Sequence, residues 1–226
     1  MADGPRDLTD QPDPRKLIDS RTVYEGRIWD VVSDTFSLSG SGDDVLVRDY
    51  IAHPGAVAVL AMDERGRVLL LKQYRQPARM SFWEIPAGLL DVHGEDFAAA
   101  AARELAEEAD LTAQRWDVLV DFFNSPGSSS EAIRIYLARE LAEVPEDQRH
   151  VRTEEEAEIE HRWVSLEEAV NGVLGGRLHN PSAVVGVLAA AEAARTGFSG
   201  LRPADAPWPE HPSQRHTWAT PGQHGA

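Results

Sequence analysis

The chain has 226 residues, a formal net charge of −16 at pH 7 and no cysteine. That acidity excludes binding to a nucleic-acid backbone through basic patches. The missing thiols exclude disulfides, thiolate nucleophiles and zinc held by sulfur. With no basic-and-apolar leader in residues 1–6 and no run of about 18 apolar residues, the chain is expected to be cytoplasmic and to cross no membrane.

Residues 1–20 are polar, carry Pro5, Pro12 and Pro14, and read as a disordered arm. Residues 21–53 read as a small antiparallel β element, with strand-like runs at 24–38 and 45–51 flanking a Ser/Gly/Asp turn at 39–44. Residues 54–198 read as the main domain. It opens with a hairpin of 56–61 and 68–71 around the turn 63–66. An extended run at 82–85 is broken by Pro86, Ala87 and Gly88, and a helix follows with Asp96 as its N-cap. Strands are expected at 118–122 and 133–138, with a loop at 125–130 rich in small hydrogen-bond donors between them. Residues 141–158 read as a charged loop crowded with Glu154, Glu155, Glu156 and Glu158. A strand near 161–164 precedes Ser165 and Glu168, which form a capping box for a helix to about Leu174. A last helix spans 182–195, and the Pro-rich residues 199–226 read as a tail that is unstructured or packs only peripherally. Mixed strands with helices on either side predict an α/β fold of α/β/α layers.

The chemistry concentrates in one helix. At about 100° per residue, Glu104, Glu107 and Glu108 share a narrow arc. Ala98, Ala102, Leu105 and Ala109 form a separate apolar stripe. Like charges at i,i+4 repel, and negative charge at a helix C-terminus opposes the macrodipole. A solvated acidic face is one reading. The other is a hard divalent cation, since Mg²⁺ takes oxygen ligands from carboxylates, phosphates and water.

Here the chain resembles the Nudix hydrolases. Their signature is matched at Gly88, Glu95, Arg103, Glu104, Leu105, Glu107, Glu108 and Leu111. Two departures stand out. Six residues rather than five separate Gly88 from Glu95, and Asp110 replaces the second glycine. The latter asks Asp110 for a helix-ending, left-handed conformation, which Asp tolerates better than most residues.

The resemblance implies a Nudix-type sandwich around a mixed sheet. It also implies hydrolysis of a nucleoside diphosphate linked to another group, with Mg²⁺ or Mn²⁺ as cofactor. Glu104 and Glu108 would be metal ligands, Glu107 a further one, and the backbone carbonyl of Ala87 a contributor. Gly88 would be structural. Glu95 and Arg103 would form an ion pair that orients the loop against the helix, a direct catalytic role for Arg103 being the other reading.

Gln73-Tyr74-Arg75, the run from Trp83 to Asp91, and Ser125-Pro126-Gly127 followed by Glu131 resemble the ADP-ribose pyrophosphatase branch, mycobacterial type. That branch implies a small-molecule substrate, ADP-ribose, cleaved to AMP and ribose 5-phosphate. It places the catalytic base on the acidic loop, at Glu156, with Glu154, Glu155 and Glu158 as alternatives and Glu107 after them. It implies a homodimer with swapped N-terminal strands. Trp29 would stack on adenine or simply pack. Arg48, Gly127 and Glu131 would contact substrate. Arg75 would meet a phosphate or the terminal ribose, or form a surface salt bridge, and His53 would be structural. A Nudix enzyme for another nucleoside diphosphate derivative, and a non-catalytic Nudix-like regulator, stay open as alternatives.

Overall fold

The structure, a computed structural model, describes residues 8–41, 44–152 and 158–217. Its centre is strand β4 (Ala56–Ala61), whose six residues are all buried. Alternation along a strand sends side chains to opposite faces. Ala56, Ala58 and Leu60 join one apolar cluster, and Val57, Val59 and Ala61 join the other. A strand that is apolar on both faces requires a covering layer on each.

Those layers are helices. On one side lies α1 (Phe97–Ala109), which buries Ala100, Ala101 and Leu105. Full burial of Leu105 contributes roughly 2 kcal/mol. On the other side lie α2 (Leu166–Leu174) and α3 (Pro181–Arg195), through Ala169, Ala183, Val187 and Ala190. Asp96 caps α1 by accepting from Ala98 N and Ala99 N, Ser165 caps α2, and Asn180 caps α3.

The central sheet is mixed. It contains β7 (Ala87–Leu89), β8 (Leu111–Phe123), β9 (Ala132–Glu143) and β11 (Arg202–Pro203), in the order β11-β8-β9-β4-β7. Only β4 and β9 run parallel. A second sheet, antiparallel, places β5 (Arg67–Arg75) between β10 (Glu160–Ser165) and β6 (Met80–Glu84). The N-terminal sheet is a meander of β1 (Lys16–Tyr24), β2 (Asp30–Ser37) and β3 (Val45–Ala52).

Five sequence expectations need correction. The arm expected over 1–20 already enters β1 at Lys16. The single strand expected over 24–38 is broken at Gly26, where a side chain would strike the Trp29 carbonyl. Asp30 Oδ1 accepts from Gly26 N at 3.1 Å and closes that turn. The hairpin expected over 56–71 keeps its turn, with Asp63 N donating to Arg67 O at 2.9 Å and a bridge between Met62 and Val68. Beyond it the strands part into different sheets, because β7 and β9 occupy both edges of β4. The charged loop begins only after Glu143, where β9 ends.

The tail is the largest correction. Trp208 and His211 are buried, and both rings pack on Phe97 at the start of α1. Arg134 on β9, itself buried, donates to Ala206 O at 2.6 Å and Pro207 O at 3.2 Å, and stands over the Trp208 ring. Burial opposes its charge, yet its hydrogen bonds and Coulombic attraction to Asp121 outweigh that and raise its pKa. Residues 199–214 therefore form a strap over the domain.

Candidate active site

Helix α1 presents the acidic wall beside β7. Gly88 lies against Glu104 so closely that a β-carbon there would overlap the Glu104 carboxyl group. Ala87 N donates to Glu108 Oε2 at 2.9 Å. Both carboxylates are more than nine-tenths buried by residue. The Ala87 amide thus ties β7 to the helix.

Arg103 sits among the acids. Its Nε and Nη2 donate to the two oxygens of Glu95 at 3.1 Å each. Its Nη1 donates to Glu104 at 2.6 Å and Glu107 at 3.1 Å. Those hydrogen bonds hold the Glu95 carboxyl below the usual range and push the guanidinium pKa up. Arg103 offsets part of the wall's negative charge in this arrangement, and the described residues contain no preformed cluster of three metal-ligating side chains. The donor set is nonetheless all carboxylate oxygen on one buried helix face, which fits a hard divalent cation.

Strand β7, which contacts the wall, also lines a cavity of about 500 Å³. Ala87 and Gly88 line it, and so do Trp29, Arg75 and Glu131. Trp29 stacks on His53, with ring centroids 5.7 Å apart and planes at 28°. His53 Nδ1 accepts from Gly55 N at 3.1 Å, so the proton of the neutral ring is on Nε2, which faces Glu131 Oε1 at 3.6 Å. Burial lowers the His53 pKa, and the Glu131 charge offsets part of that. Asn124 donates to Glu131 Oε2 at 2.7 Å. Arg75 forms a two-pronged pair with Glu84 at 2.8 and 3.1 Å, and Glu84 is buried in the cavity wall. The N-terminus of α3 borders the same space through Asn180, Pro181 and Ser182.

The structure does not bring every candidate here. Arg48 and Gly127 line a separate cavity of about 430 Å³, and Arg48 bonds its own neighbour's carbonyl at Val47. The loop at 125–130 is fastened to β3, with Ile51 N donating to Ser128 O and Ser130 N to Ile51 O. Glu154, Glu155 and Glu156 lie outside the described residues, while Glu158 is exposed just before β10. Sequence reasoning passed over Glu84, Asn124 and His53 as site residues. Glu84 carried a signal, an acid inside the apolar run from Phe82 to Ile85; Asn124 carried none.

Comparison with known proteins agrees with this geometry. Residues 52–182 match the NUDIX domain. The chain is 42% identical over 198 residues to an ADP-ribose pyrophosphatase of Mycobacterium tuberculosis, covering 88% of this chain and 93% of that protein. It is 36% identical to an ADP-ribose pyrophosphatase of Bacillus subtilis, over 69% of this chain and 80% of the other. A crystal structure of an ADP compounds hydrolase superposes with a TM-score of 0.69 at 18% identity, covering 84% of this chain and 98% of that one. The carboxylate wall at Glu104 and Glu108, the glycine beneath it and these likenesses together make the chain a member of the NUDIX family.

Proposed function

We propose that this NUDIX enzyme hydrolyses ADP-ribose to AMP and ribose 5-phosphate. One observation carries the reading: the strand that supports Glu104 and Glu108 through Gly88 and Ala87 is also a wall of the Trp29 and Glu131 cavity. On this reading a nucleotide seated there would carry its pyrophosphate past the edge strand β7 to the acidic wall.

Glu104 and Glu108 would hold Mg²⁺ or Mn²⁺, with Glu107 and the Ala87 carbonyl contributing. Such an ion supplies neutralisation of phosphate charge and activation of water. The chain's own residues supply binding and orientation. The Trp29–His53 stack offers a flat face for adenine. Glu131, fixed by Asn124, offers acceptors to ribose hydroxyls. Arg75, oriented by Glu84, directs positive charge toward the phosphates. Arg103 fixes the loop from Gly88 to the helix through Glu95. Glu156 remains the proposed base, with Glu154, Glu155, Glu158 and then Glu107 behind it.

Arg48 and Gly127 enter this reading through a homodimer. Leu17, Ile18, Val23, Tyr24, Val45 and Val47 are exposed across both faces of the N-terminal sheet, and we read this accumulation of exposed apolar side chains as an interface. Cytoplasmic residence belongs to the same reading and is supported by the cysteine-free composition; no helix of the described residues is long and apolar enough to cross a membrane.

The test is a panel of nucleoside diphosphate derivatives incubated with Mg²⁺ and separated chromatographically. ADP-ribose should have the highest kcat/KM. A nucleotide sugar or oxidised nucleotide turned over faster would move the assignment within the family.

A further inference from the structure

The C-terminal end of α1 carries Glu107 and Glu108 yet has no basic residue in its last turn. Its final carbonyls need donors, and its negative end needs cations. Both come from elsewhere in the chain. Arg152 Nε donates to Glu107 O at 2.9 Å. His161 Nε2 lies 2.7 Å from Glu108 O, which can only accept, so that nitrogen carries the proton.

Asp110 completes the arrangement. It adopts the left-handed conformation at the cap, with φ 54° and ψ 33°. Its Oδ2 stands 2.7 Å from Arg152 Nη2, and both side chains are about four-fifths buried. Its carbonyl accepts from Val144 N at 2.8 Å. The family signature has glycine here, which satisfies the backbone but offers nothing to an arginine. Asp therefore adds an ion pair while keeping the turn.

We infer that Arg152 is a positioning residue for the reaction: latched to Asp110, it fixes the last turn of α1 and so the Glu107 and Glu108 carboxylates. This rests on the reading that those carboxylates hold a divalent ion. Groups behind metal ligands typically change metal affinity or activity about 10- to 100-fold when removed. A plain helix cap would change stability alone.

The experiment compares the full-length wild type with Arg152→Gln, Arg152→Lys, Asp110→Gly and the double variant Asp110→Gly/Arg152→Gln. Mn²⁺ binding is titrated calorimetrically without substrate, and ADP-ribose kinetics follow. Arg152→Gln should weaken Mn²⁺ binding and lower kcat about tenfold, with KM for ADP-ribose within about twofold. Asp110→Gly, whose glycine keeps the turn and the fold, should shift both in the same direction. The double variant should be no worse than Arg152→Gln, because one removes what the other acts through. Lysine should restore part of the loss, since it reaches either Asp110 or the carbonyl. Wild-type Mn²⁺ affinity and kcat in both single variants, whatever their melting temperatures, would overturn the inference. Absence of ADP-ribose hydrolysis by wild type would refute the proposed substrate instead, and the calorimetric arm would still decide the role of Arg152.

Discussion

Gly88 and Glu104 occupy one space: the missing side chain of the glycine is the room in which the Glu104 carboxyl group rests. The obstacle a methyl group would meet is the far end of a mobile side chain, and Gly88 does not need a positive φ. Gly88→Ala should therefore fold with nearly the wild-type melting temperature while displacing Glu104. A shift near 1 Å at a reacting centre costs about 10²-fold, so kcat should fall to that extent. Wild-type turnover in a folded Gly88→Ala protein would remove Glu104 from the site.

The strap should matter to stability. Trp208 is buried against Phe97, His211 and Arg134. Removing a buried Trp side chain typically costs about 3–5 kcal/mol, and Trp208→Ala should lower the denaturation midpoint accordingly. A loss under about 1 kcal/mol, the range of surface substitutions, would mean that the strap does not hold in solution.

How much of this was legible in the sequence differs by element. The acidic wall was, because helical periodicity alone places Glu104, Glu107 and Glu108 together. The caps at Asp96 and Ser165 were, because their bonds are local. The strap was not: Trp208 is held by Arg134, more than seventy residues away in sequence, and its prolines read as disorder. Strand partners were equally opaque, since the Asp63 turn signals a reversal but not which sheet each arm joins. The cavity wall gathers His53, Glu84 and Asn124 from separate parts of the chain, His53 meeting Glu131 more than seventy residues on, so the acid in the apolar run at Glu84 signals burial without saying what it faces.

His53 should contribute a pH-dependent term. Its pKa in the folded protein lies below the ordinary 6.5, chiefly through burial. The unfolded chain then binds the proton more readily, so stability from this residue is present above pH 6.5 and is lost as pH falls through the folded pKa. Across pH 8 to 5 the melting temperature of wild type should drop more steeply than that of His53→Gln. Parallel profiles would show that the folded protein leaves the His53 pKa where the unfolded chain has it.

The exposed apolar strands of the N-terminal sheet predict self-association. Light scattering should report a dimer, and deletion of residues 1–53, which also removes Trp29, should abolish ADP-ribose binding. A monomer of the full chain, or normal affinity after the deletion, would contradict the dimeric reading.

On the proposed hydrolase reading, Glu104 and Glu108 serve the cleavage of a pyrophosphate carried by a nucleotide in the cavity that β7 lines. The most direct measurement incubates the full-length protein with ADP-ribose and Mg²⁺ and follows AMP and ribose 5-phosphate together, beside the same reaction in chelator and with Glu104→Gln and Glu108→Gln. Wild type should give equal amounts of the two products, the chelated reaction none above background, and each amide variant a fall in kcat of at least about 10²-fold, since catalytic charge-stabilising groups commonly contribute that much. Undiminished product formation in chelator, or wild-type rates in both variants, would contradict that reading.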